Sequence, residues 1–156
     1  MTLVWITPEL ALGPALPCEQ LRRLTKAGIG SVLDVRSEAC DDEGELSRRG
    51  LRFFHVPVDD FQAPSQEQLE AATNWTLAEI GAGRKVYLHC RSGIGRSPSV
   101  ACAVLMAIGY PLQEAYRTVR RERPRATFSG AQQAALEEFE RRLQERRAAS
   151  SQRHTS

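Results

Sequence analysis

Apolar and polar positions along the chain fall into two periods. Short runs of β-branched and large apolar residues at 3–6, 31–35, 51–58 and 85–89 read as strands. Between them, apolar residues recur at three- and four-residue steps. The stretch 17–27 places Leu21 and Leu24 on one helical face, with Pro17 in its first turn and Gly28 as its stop. The stretch 41–49 has capping acids at its start and Gly50 after its end. In 65–80, Leu69, Ala72, Thr76 and Ile80 form the helical stripe. Residues 98–108 are almost all apolar or small, the mark of a helix buried on every side. Pro111 opens a further helix with Leu112, Ala115, Tyr116 and Val119 on one face, ending before Pro124. Ser129 opens the last, lined by Leu136, Phe139 and Leu143. Residues 59–64 and 90–95 are loops. Strands that alternate with helices predict an α/β fold: a single domain with a central, mainly parallel, twisted sheet flanked by helices on both faces. The domain is expected over 1–147, and the small, polar segment 148–156 as a flexible tail.

Composition narrows the classes. The 156 residues fit one domain at about 100–200 residues each. With 42% hydrophobic residues the chain can pack a core without covalent staples. The balance of 21 Lys+Arg against 19 Asp+Glu, a net +2, excludes a polyanion-wrapping protein and an acidic disordered one. No nucleic-acid partner is therefore expected. No apolar run approaches the roughly 18–20 residues of a membrane helix, and the first residues lack a basic start followed by a long apolar stretch. A cytoplasmic monomer with reduced thiols and no membrane partner is expected. Cys18, Cys40, Cys90 and Cys102 include no C-x-x-C pair, and with three histidines no zinc spacing appears. Neither metal nor cofactor is expected.

Candidate chemistry concentrates at 85–100, KVYLHCRSGIGRSPSV. A buried-type strand runs into Cys90, then a loop with two glycines, then Arg96 and a buried helix. A thiol there faces loop amides and a positive helix end, which favour its thiolate. Gly93 and Gly95 let successive N–H groups turn toward one centre, a cradle for a dianion. Arg96 offers a planar fork that matches two phosphate oxygens. A nucleophile, an amide nest and an arginine on one point suit attack on a phosphate ester.

HCRSGIGRS resembles the His-Cys-x5-Arg-Ser signature of the cysteine-dependent protein tyrosine phosphatases, and the short chain resembles their dual-specificity branch. The likeness runs over about 3–143 and includes VLDVRSE and RRERP. It implies the phosphatase-like α/β fold and a phosphomonoester hydrolase acting on phosphorylated protein or peptide through a phosphocysteine intermediate. Cys90 would be the nucleophile. Arg91, Ser92, Gly93, Ile94, Gly95 and Arg96 would bind the phosphate. His89 would order the loop through hydrogen bonds. Ser97 would donate to the leaving sulfur, cap the helix, or both. The family places its acid on a loop about thirty residues before the cysteine, with a proline soon after. Asp60 matches through its D-x-x-x-P spacing to Pro64, and Asp59 is the alternative. Gln132 and Gln133 resemble water-positioning glutamines, although Ser129 to Gln132 also reads as a capping box. Asp34 is expected to bond nearby backbone, and Cys102 to sit in the core. Cys40 is a candidate redox partner of Cys90. Arg117, Arg120, Arg121, Arg123 and Arg125 read as a solvated face. Alternatives are a non-protein substrate (a phosphoinositide, a glucan or an RNA 5′-phosphate) and a phosphoprotein-binding pseudophosphatase. The loop lacks the lysine that lipid-directed relatives tend to carry, and the cysteine, arginine and acid are all present.

Overall fold

A computed structural model describes residues 3–92 and 94–155, with side chains as far as Gln152. Five strands are present among them: β1 (Val4–Thr7), β2 (Leu10–Pro14), β3 (Ile29–Arg36), β4 (Arg52–Val58) and β5 (Lys85–Cys90). They form one sheet in the order β1-β2-β5-β3-β4. Only β1 and β2 pair antiparallel; β2–β5, β5–β3 and β3–β4 are parallel. The helices are α1 (Arg22–Lys26), α2 (Glu43–Arg48), α3 (Gln66–Gly81), α4 (Arg96–Ala107), α5 (Leu112–Glu122) and α6 (Gly130–Thr155). This is the α/β architecture the periodicity predicts.

Three local differences have physical causes. Strand β2, LALGP, has no alternation and holds both a glycine and a proline, so it gives no strand signal. Its place between β1 and β5 buries four of its five residues. The helix expected at 17–27 is a 3-10 turn over Cys18–Gln20 followed by the single short α1. The segment 148–156 expected as a tail continues α6 as helix as far as Thr155. That helix is tied down before this point: Glu140 accepts from the Leu112 N–H at the start of α5, and Arg147 donates to the carbonyl of Met106 at the end of α4.

Strand alternation decides what faces the site. Along β5, Val86, Leu88 and Cys90 join the larger core with α3, α4, α5 and α6. Tyr87 lies on the other face, in the core formed with Leu21, Leu24 and Leu46. His89 stacks on Tyr87, ring centroids 5.7 Å apart, so its ring shares that second face and turns away from the Cys90 thiol.

A close approach supports β5 at this point. Tyr87 is 1% exposed and its hydroxyl donates to the Pro14 carbonyl at 2.6 Å. A Cβ added at Gly13, the residue paired with His89, would stand 2.1 Å from that hydroxyl oxygen and 2.8 Å from two ring carbons. Gly13→Ala should therefore destabilise the domain by about 1–3 kcal/mol, the usual range for overpacking a filled site. Urea unfolding checks it; an unchanged midpoint would mean that the Tyr87 ring moves aside freely.

Candidate active site

The loop that leaves β5 closes at Gly95, the N-cap of α4. Arg96 and Ser97 thus occupy the first turn of a helix that is buried from Arg96 to Met106. This burial is the all-round apolar pattern of 98–108 realised against the sheet and the neighbouring helices. The loop is pinned from outside by the Thr127 N–H, which donates to the Ile94 carbonyl at 2.9 Å. Arg91 is exposed, while Ser92, Ile94 and Gly95 are half-buried. Gly93, expected in the phosphate cradle, lies outside the described residues.

Cys90 is 2% exposed, and its sulfur lies 3.3 Å from the Ser97 hydroxyl. Ser97 is not the N-cap, since Gly95 holds that place without a side-chain bond. Its hydroxyl is left to the sulfur. Cys102 sits inside α4 at 0% exposure, and burial pushes its thiol up to about 12, as befits a core residue.

Arg96 is 3% exposed and heavily paired. Nη1 donates to Glu38 Oε1 at 2.6 Å and to the Val58 carbonyl at 2.9 Å. Nη2 donates to Glu38 Oε2 at 2.8 Å and lies 3.5 Å from Asp60 Oδ1. The Arg96 hydrogen bonds hold the Glu38 carboxyl down at about 2, and Glu38 in turn raises Arg96 above its ordinary value. Glu38 escaped the sequence reading. A signal existed: an arginine at a buried helix start needs a counter-charge, and VRSE offers one.

Asp60 is the loop acid brought to Arg96. Asp59 is exposed and contributes its backbone carbonyl, which accepts from the Gln62 N–H at 3.0 Å. Asp60, Phe61, Ile94, Gly95, Arg96 and Gln132 line a pocket of about 250 Å³. Gln132 forms the capping box that the sequence offers. Its side chain accepts from the Ser129 N–H while its own N–H donates to the Ser129 hydroxyl, a complete capping box. Its amide nitrogen also donates to the Gln62 carbonyl at 3.3 Å, beside the pocket. Gln133 instead donates to the Phe128 carbonyl.

His89 and Asp34 are parts of one buried network behind the cysteine. His89 Nε2 donates to Asp41 Oδ2 at 2.6 Å, and Nδ1 lies 3.3 Å from the Cys90 carbonyl. Asp34 accepts four N–H groups: Arg36 N and Nε on Oδ1, Arg36 Nη2 and Asp41 N on Oδ2. Burial works to raise the Asp34 carboxyl, but Arg36 and His89 outweigh it and hold it below the ordinary value. Asp41, like Glu38, was not singled out from sequence.

Two groupings bring metal-type ligands together among the described residues: Asp34 with Cys40 and His55, and Asp34 with Asp41 and His89. Both depend on Asp34, whose lone pairs are already taken by those four donors. Cys40 is exposed, and partial burial together with the charges of Asp34 and Asp41 pushes its thiol up, which disfavours a reactive thiolate. The arginine stretch is not one solvated face. Arg123 is 7% exposed, and Arg120 lies over the rings of Tyr116 and Phe128 at 5.3 and 5.0 Å. No helix among the described residues is long and apolar enough to cross a membrane.

Comparison with known proteins agrees with this geometry. The family described as "Polymorphic toxin system, DSP-PTPase phosphatase" matches residues 14–110. Phosphatidylglycerophosphate phosphatase PTPMT2 of Arabidopsis thaliana is 29% identical over 138 residues, 85% of this chain and 60% of its own length. Dual specificity protein phosphatase 2 of Homo sapiens is 32% identical over 140 residues, 81% of this chain and 41% of its own. The chain thus spans between about two fifths and three fifths of these relatives. Among solved structures, Tk-PTP in its active form superposes with a TM-score of 0.85 at 33% identity, covering 90% of this chain and 97% of that one. Human DUSP28 gives 0.83 at 27% identity, covering 92% and 99%.

Proposed function

The chain belongs to the dual-specificity branch of the cysteine-dependent protein tyrosine phosphatases, and from that premise we propose that it hydrolyses phosphorylated proteins or peptides through a phosphocysteine intermediate. One observation carries the reading: a recessed Cys90 with the Ser97 hydroxyl at its sulfur, beside a buried Arg96 that also meets the loop acid Asp60. The Cys90 sulfur attacks phosphorus as the ester oxygen departs. Asp60 gives that oxygen its proton. Water then attacks the phosphocysteine, Asp60 takes the water's proton, and the sulfur leaves with the Ser97 hydroxyl donating to it. The loop amides of 91–95 and Arg96 hold the three equatorial oxygens. Glu38 and Val58 occupy Nη1 and one side of Nη2, so Nε–H and the other Nη2–H form the fork assigned to phosphate. Glu38 fixes the plane of that fork, and Asp41 with Asp34 fixes His89 behind the loop.

Cytoplasmic action on a phosphoprotein is part of this proposal. The rival reading, a phosphorylated lipid headgroup, draws on relatives named as phosphatidylglycerophosphate phosphatases. A panel of phosphopeptides and phospholipid vesicles in EDTA, with the Cys90→Ser protein as blank, separates them. The expected result is peptide turnover above the blank, inhibited by vanadate and by iodoacetate, with phosphate protecting against the latter. Turnover of lipid alone would move the substrate class, and a requirement for added divalent ion would overturn the mechanism.

A further inference from the structure

The sheet face turned away from the Cys90 thiol carries a second hollow. Leu3, Leu16, Leu24 and Ala27 line a volume of about 270 Å³ together with Pro14 and Tyr87, and Arg23 is the charged residue of the lining. Leu24 and Tyr87 are each 1% exposed and form the floor, while Arg23 is exposed and stands at the rim. The floor cannot fold in to fill the space. The Tyr87 hydroxyl donates to the Pro14 carbonyl at 2.6 Å, its ring lies against Gly13, and its face stacks on His89. Burial, against the pull of Arg123, holds that phenol above its ordinary value, so the hydroxyl stays a neutral donor. Leu24 is held in the second core with Leu21, Val32 and Leu46. A hollow with a fixed floor is preformed for a ligand.

We propose that this hollow is a binding site for a small free carboxylic acid, its apolar body on Leu24 and Tyr87 and its carboxylate on Arg23. The site is separate from the proposed catalytic pocket and does not depend on the phosphatase reading. Charge chooses the head group. Arg23 Nη1 donates to the Gln20 side-chain oxygen at 3.2 Å, and among the described residues no carboxylate pairs with this guanidinium. Its Nε–H and Nη2–H remain as the planar fork that a carboxylate fits. One guanidinium balances one negative charge, whereas a phosphomonoester brings nearly two. Size chooses the body. At the packing density of protein interiors the volume takes roughly ten to twelve non-hydrogen atoms. A protein partner needs a wider apolar surface. The exposed large apolar residues among those described are Phe61, in the acid turn at a φ of 63°, and Ile108, at the end of α4, and neither lines this hollow.

The test is calorimetry on the full chain with butanoate, hexanoate and octanoate as probes, each below its micelle-forming concentration. Saturable binding of octanoate at one site is expected, with affinity rising about fourfold for each added methylene along the series. Arg23→Gln should weaken octanoate by about tenfold and leave 1-octanol within about twofold, because only the acid uses the guanidinium. Ala27→Phe should fill the hollow and remove both ligands, its thermal unfolding midpoint showing that it folds. Arg23 is exposed, so Arg23→Gln decides the matter should Ala27→Phe not fold. Saturating vanadate should leave octanoate binding within about threefold, since Arg96 and Cys90 lie beyond the sheet from this hollow. No saturable heat with octanoate would overturn the proposal. Equal affinities for butanoate and octanoate would reduce it to a surface charge contact and overturn it as well. Unchanged octanoate binding in Arg23→Gln would remove the carboxylate, and displacement by vanadate would move the acid to the catalytic cradle; either result refutes the site. A parent that hydrolyses no phosphate ester yet binds octanoate in this way would sink the phosphatase reading alone.

Discussion

Cys90→Ser is expected to lower turnover by roughly 10⁴-fold or more while leaving phosphate binding largely intact. The substitution exchanges sulfur for oxygen in the same place, at the end of β5 beside Ser97. An alcohol ionises many pH units later than a thiol, so the nucleophile is lost while the cradle stays. Arg96 keeps Glu38 and Val58 as partners, since those hydrogen bonds do not run through residue 90. Phosphate or vanadate should therefore still protect the variant against thermal unfolding. Turnover within tenfold of the parent would falsify covalent catalysis by this residue. Loss of phosphate binding together with turnover would instead mean that the substitution disturbs the loop.

Asp60→Asn is expected to slow hydrolysis of phosphotyrosine or phosphoserine peptides by roughly 10²–10⁴-fold, the usual worth of a positioned proton donor. The amide retains an oxygen to accept from the Phe61 N–H, so the turn survives and proton transfer alone is removed. On an aryl phosphate with a weakly basic leaving group the effect should be much smaller, since that oxygen departs without a proton. The basic limb of the pH–rate profile should flatten in the same variant. Asp59→Asn should change neither, because Asp59 takes part in the turn through its backbone carbonyl. Leaving-group sensitivity in Asp59→Asn and not in Asp60→Asn would transfer the acid to Asp59. Its absence from both would place the acid outside this turn.

The parts of the fold visible in the sequence are those whose physics is local. Strands β3 and β5 read as apolar runs because a parallel sheet buries both faces of its inner strands, and the edge strand β4 reads through its own run of large apolar residues. The glycines with positive φ at 28 and 50 mark helix ends by rules that hold within one turn. Strand β2 stayed hidden because its partner β5 lies more than seventy residues away and supplies what LALGP lacks by itself. The site divides in the same way. Cys90, Arg96 and Ser97 stand in one loop and one helical turn, so their spacing carries their geometry. Glu38 and Asp41 reach Arg96 and His89 across 58 and 48 residues, through the pairing of β3 with β5. For Glu38 the signal lay in the counter-charge that a buried Arg96 requires rather than in a local pattern. Phe61 looks like an ordinary loop aromatic until its backbone angle and exposure are known.

Helix α4 is buried from its first residue, Arg96, to Met106, and it begins at the phosphate cradle. Its amide hydrogens are expected to exchange through wide opening of the domain, and those of the exposed turn at 59–62 through local opening. The two halves of the proposed catalytic apparatus are therefore expected on different levels of the opening hierarchy. On the proposed mechanism, anion capture belongs to the global unit and proton delivery to a local one. Sequence change in the acid turn can vary rate and substrate choice with little penalty to folding. Change in the first turn of α4 acts on a helix buried in the core, so it is expected to alter survival of the chain before its chemistry.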